Sequence, residues 1–259
     1  MLSIPSEQIS RLWRAIIEFD MLSPNDRVLV GLSGGKDSSF LLTALRQIQK
    51  VAPFSFSIGA FTMDPLFTAD FPVAKLQAFC DELDVPFYTE KVPVEQLAIN
   101  HPGKPPCFSC AYFRRAATNR VAKENNYNKV ALAHHHDDAV NTFLLNLLTS
   151  GQLKTFLPVT FLSRSELTVI RPLLYYREEE IRAMGKAIGI VPIKSPCPHD
   201  GHTKRQSAKE FIQTLETFDP DAYDHLAAAM RCQENELWPS QLSKETMTQK
   251  FRSFWGKTK

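Results

Sequence analysis

A strand pattern, Arg27-Val28-Leu29-Val30-Gly31-Leu32, runs directly into Ser33-Gly34-Gly35-Lys36-Asp37-Ser38 and then into a helix predicted from about Ser38 to Gln49. No other stretch restricts the fold so tightly. A β-branched apolar run of strand length suits burial on both faces, as in a parallel sheet. The paired glycines let the backbone turn several N–H groups toward one anion. The helix behind them contributes about half a positive charge at its first turn, and Lys36 supplies a whole one. Strand, loop and helix in this order make a phosphate-binding turn. A Walker A loop would need Gly at position 30 and Ser or Thr at position 37; Val30 and Asp37 exclude it.

The rest of the chain extends the same rhythm. Phe54 to Phe61 predicts a second strand, Val73 to Leu83 a helix, and Phe87-Tyr88 a short strand. After a loop at His101 to Pro106 come a helix through Asn125 and another buried strand, Val130 to Ala133. Asp137 to Leu148 reads as a helix, Leu167 to Leu174 as a strand, and Arg177 to Ile188 as a helix. This alternation predicts an α/β fold with a doubly wound, mostly parallel sheet. From Lys204 onward the strand signal stops. Lys204 to Phe218 and Ala222 to Leu237 are predicted helices, with a polar, mobile tail after Ser243. Three segments follow: an N-terminal helix in 1–24, the α/β phosphate-loop domain in 25–203, and a C-terminal helical segment and tail in 204–259.

Composition narrows the setting. With 44% hydrophobic and 22% charged residues in 259, the chain has ample material for a core. No apolar run approaches the roughly 20 residues that span a bilayer. Met1 to Asp20 is amphipathic and lacks the apolar centre of a secretory signal, so a cytoplasmic protein without a membrane partner is expected. The 30 basic and 28 acidic residues give a net charge of only +2, which does not announce a nucleic-acid binder. Local basic clusters can still serve that purpose. Arg114, Arg115, Arg120 and Lys123 share one predicted helix, and Lys204, Arg205 and Lys209 open another. Phe108, Tyr112 and Phe113 could stack an extruded base, although core packing is expected for at least two of them.

Two further groups carry chemistry. Ala133-His134-His135-His136-Asp137-Asp138 follows a strand, at the end of the sheet where open α/β folds bind ligands. Adjacent carboxylates suit Mg²⁺; a transition-metal site on the histidines or a plain helix start are the alternatives. There are five cysteines, an odd count that argues against a disulfide framework. Cys107-Phe108-Ser109-Cys110 opens a helix, where two thiolates can face one metal. By spacing alone the pair fits zinc, iron–sulfur or redox use. Cys197, between Pro196 and Pro198, offers a third ligand, and His199 or His202 could complete a zinc site. Cys80 and Cys232 read as packing residues.

The loop resembles the SGGxDS signature of the PP-loop pyrophosphatases, which cleave ATP between its α and β phosphates and leave AMP on a carbonyl oxygen. Taken with Cys107-x-x-Cys110, Arg114-Arg115, the HHxDD-like segment, Ile170-Arg171-Pro172-Leu173 and Pro196-Cys197, the chain resembles the tRNA 2-thiocytidine synthetase family from about Arg11 to Cys197. That resemblance implies ATP-dependent thiolation of a cytidine in the tRNA anticodon loop. It implies a [4Fe–4S] cluster on Cys107, Cys110 and Cys197 that leaves one iron open. It places the ATP phosphates on Ser33, Gly34, Gly35, Lys36, Asp37 and Ser38, with Ala133 and His134 beside the nucleotide and Met63, just after the second strand, near the adenine. Asp37, Asp137 and Asp138 would lie near Mg²⁺, and Arg114 would steady the adenylate or a phosphate. The implied partners are tRNA, a sulfur donor such as a cysteine desulfurase or free sulfide, and a second copy in a homodimer. Cys197-Pro198-His199-Asp200 stands where the close family has a second CxxC, and His136 stands where it has Arg. A sulfurtransferase or ligase acting on another base or a small molecule is the alternative.

Overall fold

The computed structural model describes residues 3–68, 70–98, 106–193, 204–231 and 241–256. Helix α1 (Ser6–Glu18) precedes β1 (Arg27–Gly31), α2 (Lys36–Gln49), β2 (Ser57–Asp64), α3 (Val73–Glu82) and β3 (Phe87–Lys91). Two helices, α4 (Val94–Ala98) and α5 (Pro106–Glu124), lead back to β4 (Lys129–Ala131). Next come α6 (His136–Ser150), β5 (Val159–Leu162), β6 (Leu167–Ile170) and α7 (Glu178–Ala187). The chain closes with α8 (Lys204–Phe218), α9 (Ala222–Ala229) and α10 (Lys244–Trp255).

The strands form one sheet in the order β3-β2-β1-β4-β6-β5. All pairings are parallel except β5 with β6, which is antiparallel. Central β1 is buried on both faces: Val28 and Val30 point into one apolar layer and Leu29 into the other. The chain leaves β1 toward β2 and β3, then returns to place β4 on β1's other side. The crevice between the carboxyl ends of β1 and β4 is therefore the topological switch point, where such sheets bind ligands. The alternation of buried runs and helical periods had already predicted this class of fold.

Several boundaries differ from the sequence reading. The second strand starts at Ser57, not Phe54, because its pairing begins level with β1, Arg27 opposite Ser57. Phe54 and Phe56 pack on each other ahead of it, with ring centroids 6.2 Å apart. Met63 consequently lies within β2, buried in the core layer, and not just after the strand. The strand at Leu167 ends at Ile170, and β5, a short and half-exposed edge, carried no legible pattern. Helix α9 ends at Ala229, short of the helix predicted to Leu237, whose residues 232–237 lie outside the described residues.

Where a mobile tail was expected after Ser243, Lys244–Trp255 forms a docked helix. Ser243 caps α10, its Oγ accepting from the Thr246 N–H at 3.1 Å. The helix then docks on α1: the Trp13 ring centroid lies 5.3 Å from Phe254 and 4.9 Å from Trp255. Lys250 Nζ donates to the Asp20 carboxylate at 2.8 Å. The polar composition of this segment hid three aromatic and methionine positions on one helical face, Met247, Phe251 and Phe254, that all pack on the core.

Candidate functional site

The phosphate loop sits at the carboxyl end of β1 and is braced from within. Ser38 Oγ accepts from the Ser33 N–H at 3.1 Å and donates to the Gly35 carbonyl at 3.1 Å. Gly34 has φ of +79°, a conformation that disfavours any side chain, and a Cβ there would lie 3.1 Å from Ile193. The Ile193 N–H donates to the Gly34 carbonyl at 2.8 Å. The loop is thus pinned by the last described residue before the segment that carries Cys197. Helix α2 begins at Lys36, and its first N–H groups lack intrahelical acceptors, the standard setting for an anion.

Lys36 and Asp37 leave the loop together. Lys36 Nζ lies 3.0 Å from Asp37 Oδ2 and 3.1 Å from Glu178 Oε1. Burial works against the Lys36 charge, but Asp37 and Glu178 outweigh it and its pKa is raised. The other Asp37 oxygen, Oδ1, is buried without a hydrogen-bond partner among the described residues. An orphaned carboxylate oxygen beside an anion-binding turn fits a hard divalent cation such as Mg²⁺.

The second predicted segment lies across the crevice, after β4. His134 receives a hydrogen bond on Nδ1 from Arg171 Nε at 3.3 Å, which places its proton on Nε2. Its ring lies 5.0 Å from Phe156. Ala133 is part of the core wall beneath. His136 starts α6, and its Nδ1 is 2.6 Å from the Tyr223 hydroxyl of α9. Burial lowers the His136 pKa to about 4.

The two adjacent carboxylates have protein partners. Asp137 Oδ1 accepts from Arg177 Nε at 3.0 Å, and Oδ2 from the Glu178 N–H at 2.7 Å. Asp138 accepts from the His135 N–H at 3.1 Å and so caps α6. These contacts tie the start of α7 to the start of α6. They also hold Glu178 over Lys36. Arg177 and Glu178 were not singled out in the sequence, although the signal was present in the predicted helix start at Arg177.

The described thiols are Cys80 and Cys110. Cys80 is a core residue, and burial with Asp81 nearby pushes its thiol up to about 12, as suits a packing thiol. Cys110 is half-buried on α5, with Arg114 Nη2 3.7 Å from its sulfur. Helix α5 connects the carboxyl end of β3 back to the amino end of the parallel β4, so its first turn lies toward the carboxyl edge of the sheet. Cys107 belongs to α5 but its side chain lies outside the described residues, as does all of Cys197. His199, His202 and Cys232 also lie outside them. Among the described residues no group of three or more His, Cys, Asp or Glu gathers as a metal site.

On the same helix, Phe108 is 44% and Tyr112 47% exposed, against the expectation of core packing for at least two of the three aromatics; Phe113 alone packs on a core layer. Of the basic residues of α5, Arg120 is bonded to Glu90 and Lys123 lies 3.4 Å from Glu166, while Arg114 and Arg115 are exposed. Among the described residues no helix is long and apolar enough to cross a membrane.

Comparison with known proteins bears on the family and the fold. Residues 5–208 match the family of the PP-loop domain, a span that includes the loop and all three candidate cysteines. The chain is 34% identical over 235 residues to the tRNA-cytidine(32) 2-sulfurtransferase of Ralstonia pickettii, covering 86% of this chain and 71% of that one. It is 36% identical over 233 residues to the protein of the same name from Pseudomonas syringae pv. syringae, covering 88% and 83%. Among solved structures, the U34-tRNA thiolase NcsA from Methanococcus maripaludis with its [4Fe–4S] cluster shares the fold, at a TM-score of 0.69 and 21% identity over 85% of this chain and 76% of that one.

Proposed function

The chain belongs to the PP-loop family and, within it, to the tRNA-cytidine(32) 2-sulfurtransferases, and from that premise we propose that it thiolates C2 of a cytidine in the tRNA anticodon loop at the expense of ATP. The observation that carries this reading is the identity to those relatives across most of both chains. The loop, the α5 cysteines and Cys197 all fall within the family match.

A pyrimidine carbonyl is a poor electrophile. In the proposed reaction its O2 attacks the α-phosphorus of ATP, the bond to the β-phosphate breaks, and pyrophosphate leaves. Sulfide then forms the C–S bond as the C–O bond to AMP breaks. The chain's own part is to hold the reactants. Ser33 to Ser38 cradle the phosphates, and Lys36 with the first turn of α2 offsets their charge. Asp37 Oδ1 would bind Mg²⁺, with Asp137 and Asp138 supporting the site through the start of α7 and α6. His134 offers an Nε2 donor beside the nucleotide, Ala133 forms the wall, and Met63 lines the adenine side. Arg114, next to Cys110, would steady the adenylate.

Cys107, Cys110 and Cys197 would hold a [4Fe–4S] cluster, which when bound supplies a fourth iron without a cysteine ligand to present sulfide. Three thiolates, soft sulfur donors, suit that group. The entrance to the Cys197 segment supports it: Ile193 is bonded to Gly34, and four peptide units, about 14 Å at full extension, separate it from Cys197. Sulfur would come from a cysteine desulfurase or free sulfide. The exposed Phe108 and Tyr112 of the same helix would stack bases of the anticodon loop. Mass spectrometry of tRNA nucleosides from a strain lacking the gene tests the proposal. Loss of 2-thiocytidine, restored by the wild-type gene and not by the Cys197→Ala variant, is expected; unchanged 2-thiocytidine contradicts it.

A further inference from the structure

Three cations converge on one carboxylate beside the phosphate loop. Glu178 Oε1 lies 3.1 Å from Lys36 Nζ and 2.8 Å from Arg182 Nη2, and Oε2 lies 2.6 Å from Lys209 Nζ. Each partner comes from a different place: Lys36 from the loop, Arg182 from the next turn of α7, and Lys209 from α8. The position of Lys209 is fixed by its own helix, since Ala208 and Ile212 on either side of it are 4% and 5% exposed. Glu178 is fixed by Asp137, which accepts its N–H at 2.7 Å. The lysine expected to meet a phosphate is therefore occupied by a carboxylate that a second lysine shares.

A carboxylate set between cations beside an anion-binding turn stands where a phosphate would stand. Burial works against the Glu178 charge, but Lys209 and Lys36 hold its pKa down to about 2, so the stand-in is ionised at neutral pH. Glu178, with Asp37 on Lys36 at 3.0 Å, sets two carboxylates against three cations and leaves one positive charge in surplus. A polyphosphate, with more negative charge, matches the three better than Glu178 does.

We propose that Lys209 is a nucleotide-binding residue: the terminal phosphates of ATP, seated on the Ser33–Ser38 loop, displace the Glu178 carboxylate from between Lys36 and Lys209. This rests on the ATP site proposed above and extends it to α8, so the C-terminal helical segment becomes part of the nucleotide site. Glu178 keeps both lysines in place while no nucleotide is bound and competes with ATP for them.

The two residues then predict opposite effects. In Mg²⁺-ATP titrations without tRNA, Lys209→Gln weakens binding roughly tenfold, the loss of one charge-assisted contact. AMP binding changes less than twofold, because the contact is to the terminal phosphates. Lys209→Arg retains most of the affinity. Glu178→Gln, which removes the competitor and keeps both cations, tightens ATP binding several-fold. If the pair only fastens α8 to α7, both Gln variants weaken ATP and AMP alike, and the proposal is overturned. It is equally overturned if Lys209→Gln binds ATP like wild type and loses only tRNA affinity, since the lysine then serves an RNA phosphate. Wild-type protein that binds no ATP would defeat the nucleotide site itself; wild type that binds, with Lys209→Gln unchanged, defeats only the role of Lys209.

Discussion

Substituting Gly34 by Ala probes the joint between the phosphate loop and the segment that carries Cys197. Two costs combine. At φ of +79° a side chain is strained, by about 1–2 kcal/mol for a residue in the left-handed region. The new Cβ would also stand 3.1 Å from Ile193 Cβ and 3.2 Å from Leu76 Cδ2; crowding of this kind typically costs about 1–3 kcal/mol. Together they predict a loss of about 2–5 kcal/mol, or a Tm lower by on the order of 5–20 °C in a chain of this size. Gly35→Ala is the control. There the φ is −69° and an added Cβ would meet only Ser33 Oγ, at 3.4 Å, so the Tm should hardly move. Because Ile193 is the neighbour that must give way, Gly34→Ala should also reduce iron retention after anaerobic reconstitution, which Gly35→Ala should not. Thermal unfolding and iron content of the two variants decide the matter. Equal Tm and equal iron for both would refute the reasoning that Gly34 couples the loop to the late segment.

Other expectations follow from single contacts. Cys107→Ala, Cys110→Ala and Cys197→Ala should each abolish the brown colour and iron of reconstituted protein, while Cys80→Ala, a buried thiol, leaves both intact; colour surviving in the Cys197 variant removes that residue from the ligand set. Asp37→Ala should abolish pyrophosphate release measured with tRNA and ATP, and unchanged release takes Asp37 out of the site. Phe254→Ala, which empties the contact of α10 with Trp13 and Phe54, should cost about 3–5 kcal/mol in urea unfolding, where a mobile tail would cost nothing. His136 has its folded pKa lowered from 6.5 to about 4 by burial, with Arg177 and Arg231 also lowering it and Asp137 and Asp224 opposing. The unfolded chain therefore binds more protons between those values, and stability should fall as pH drops through that window, by up to about 1.4 kcal/mol per pH unit. His136→Gln should flatten the dependence, and an unchanged slope in that variant would assign it to other groups.

Local chemistry made much of this molecule legible from its residues. The loop was readable because glycine spacing, a buried strand before it and a helix after it all point the same way. The ends of β2, β6 and α9 were not, since pairing register and turns set them: Ser57 pairs opposite Arg27, whereas the apolar run begins at Phe54. Helix α10 was missed because its few apolar residues, four or three apart, are diluted by polar ones, and their partners, Trp13 of α1 and Phe54, are far away in sequence. In the site, Asp137 and Asp138 were readable as carboxylates at a strand end. Their occupation by Arg177, Glu178 and His135 was not, because it depends on how α7 lands beside α6. Lys209 showed the same limit: its charge was visible, and its contact with Glu178 through α8 was not.

Sulfur transfer coupled to ATP is tested most directly by one reaction. Anaerobically reconstituted protein, given an unmodified tRNA transcript, Mg²⁺-ATP and sulfide, should form 2-thiocytidine at position 32 and release AMP and pyrophosphate in step with it, all dependent on tRNA. ATP turnover that proceeds unchanged without tRNA, with no thionucleoside in the digested product, would contradict the account.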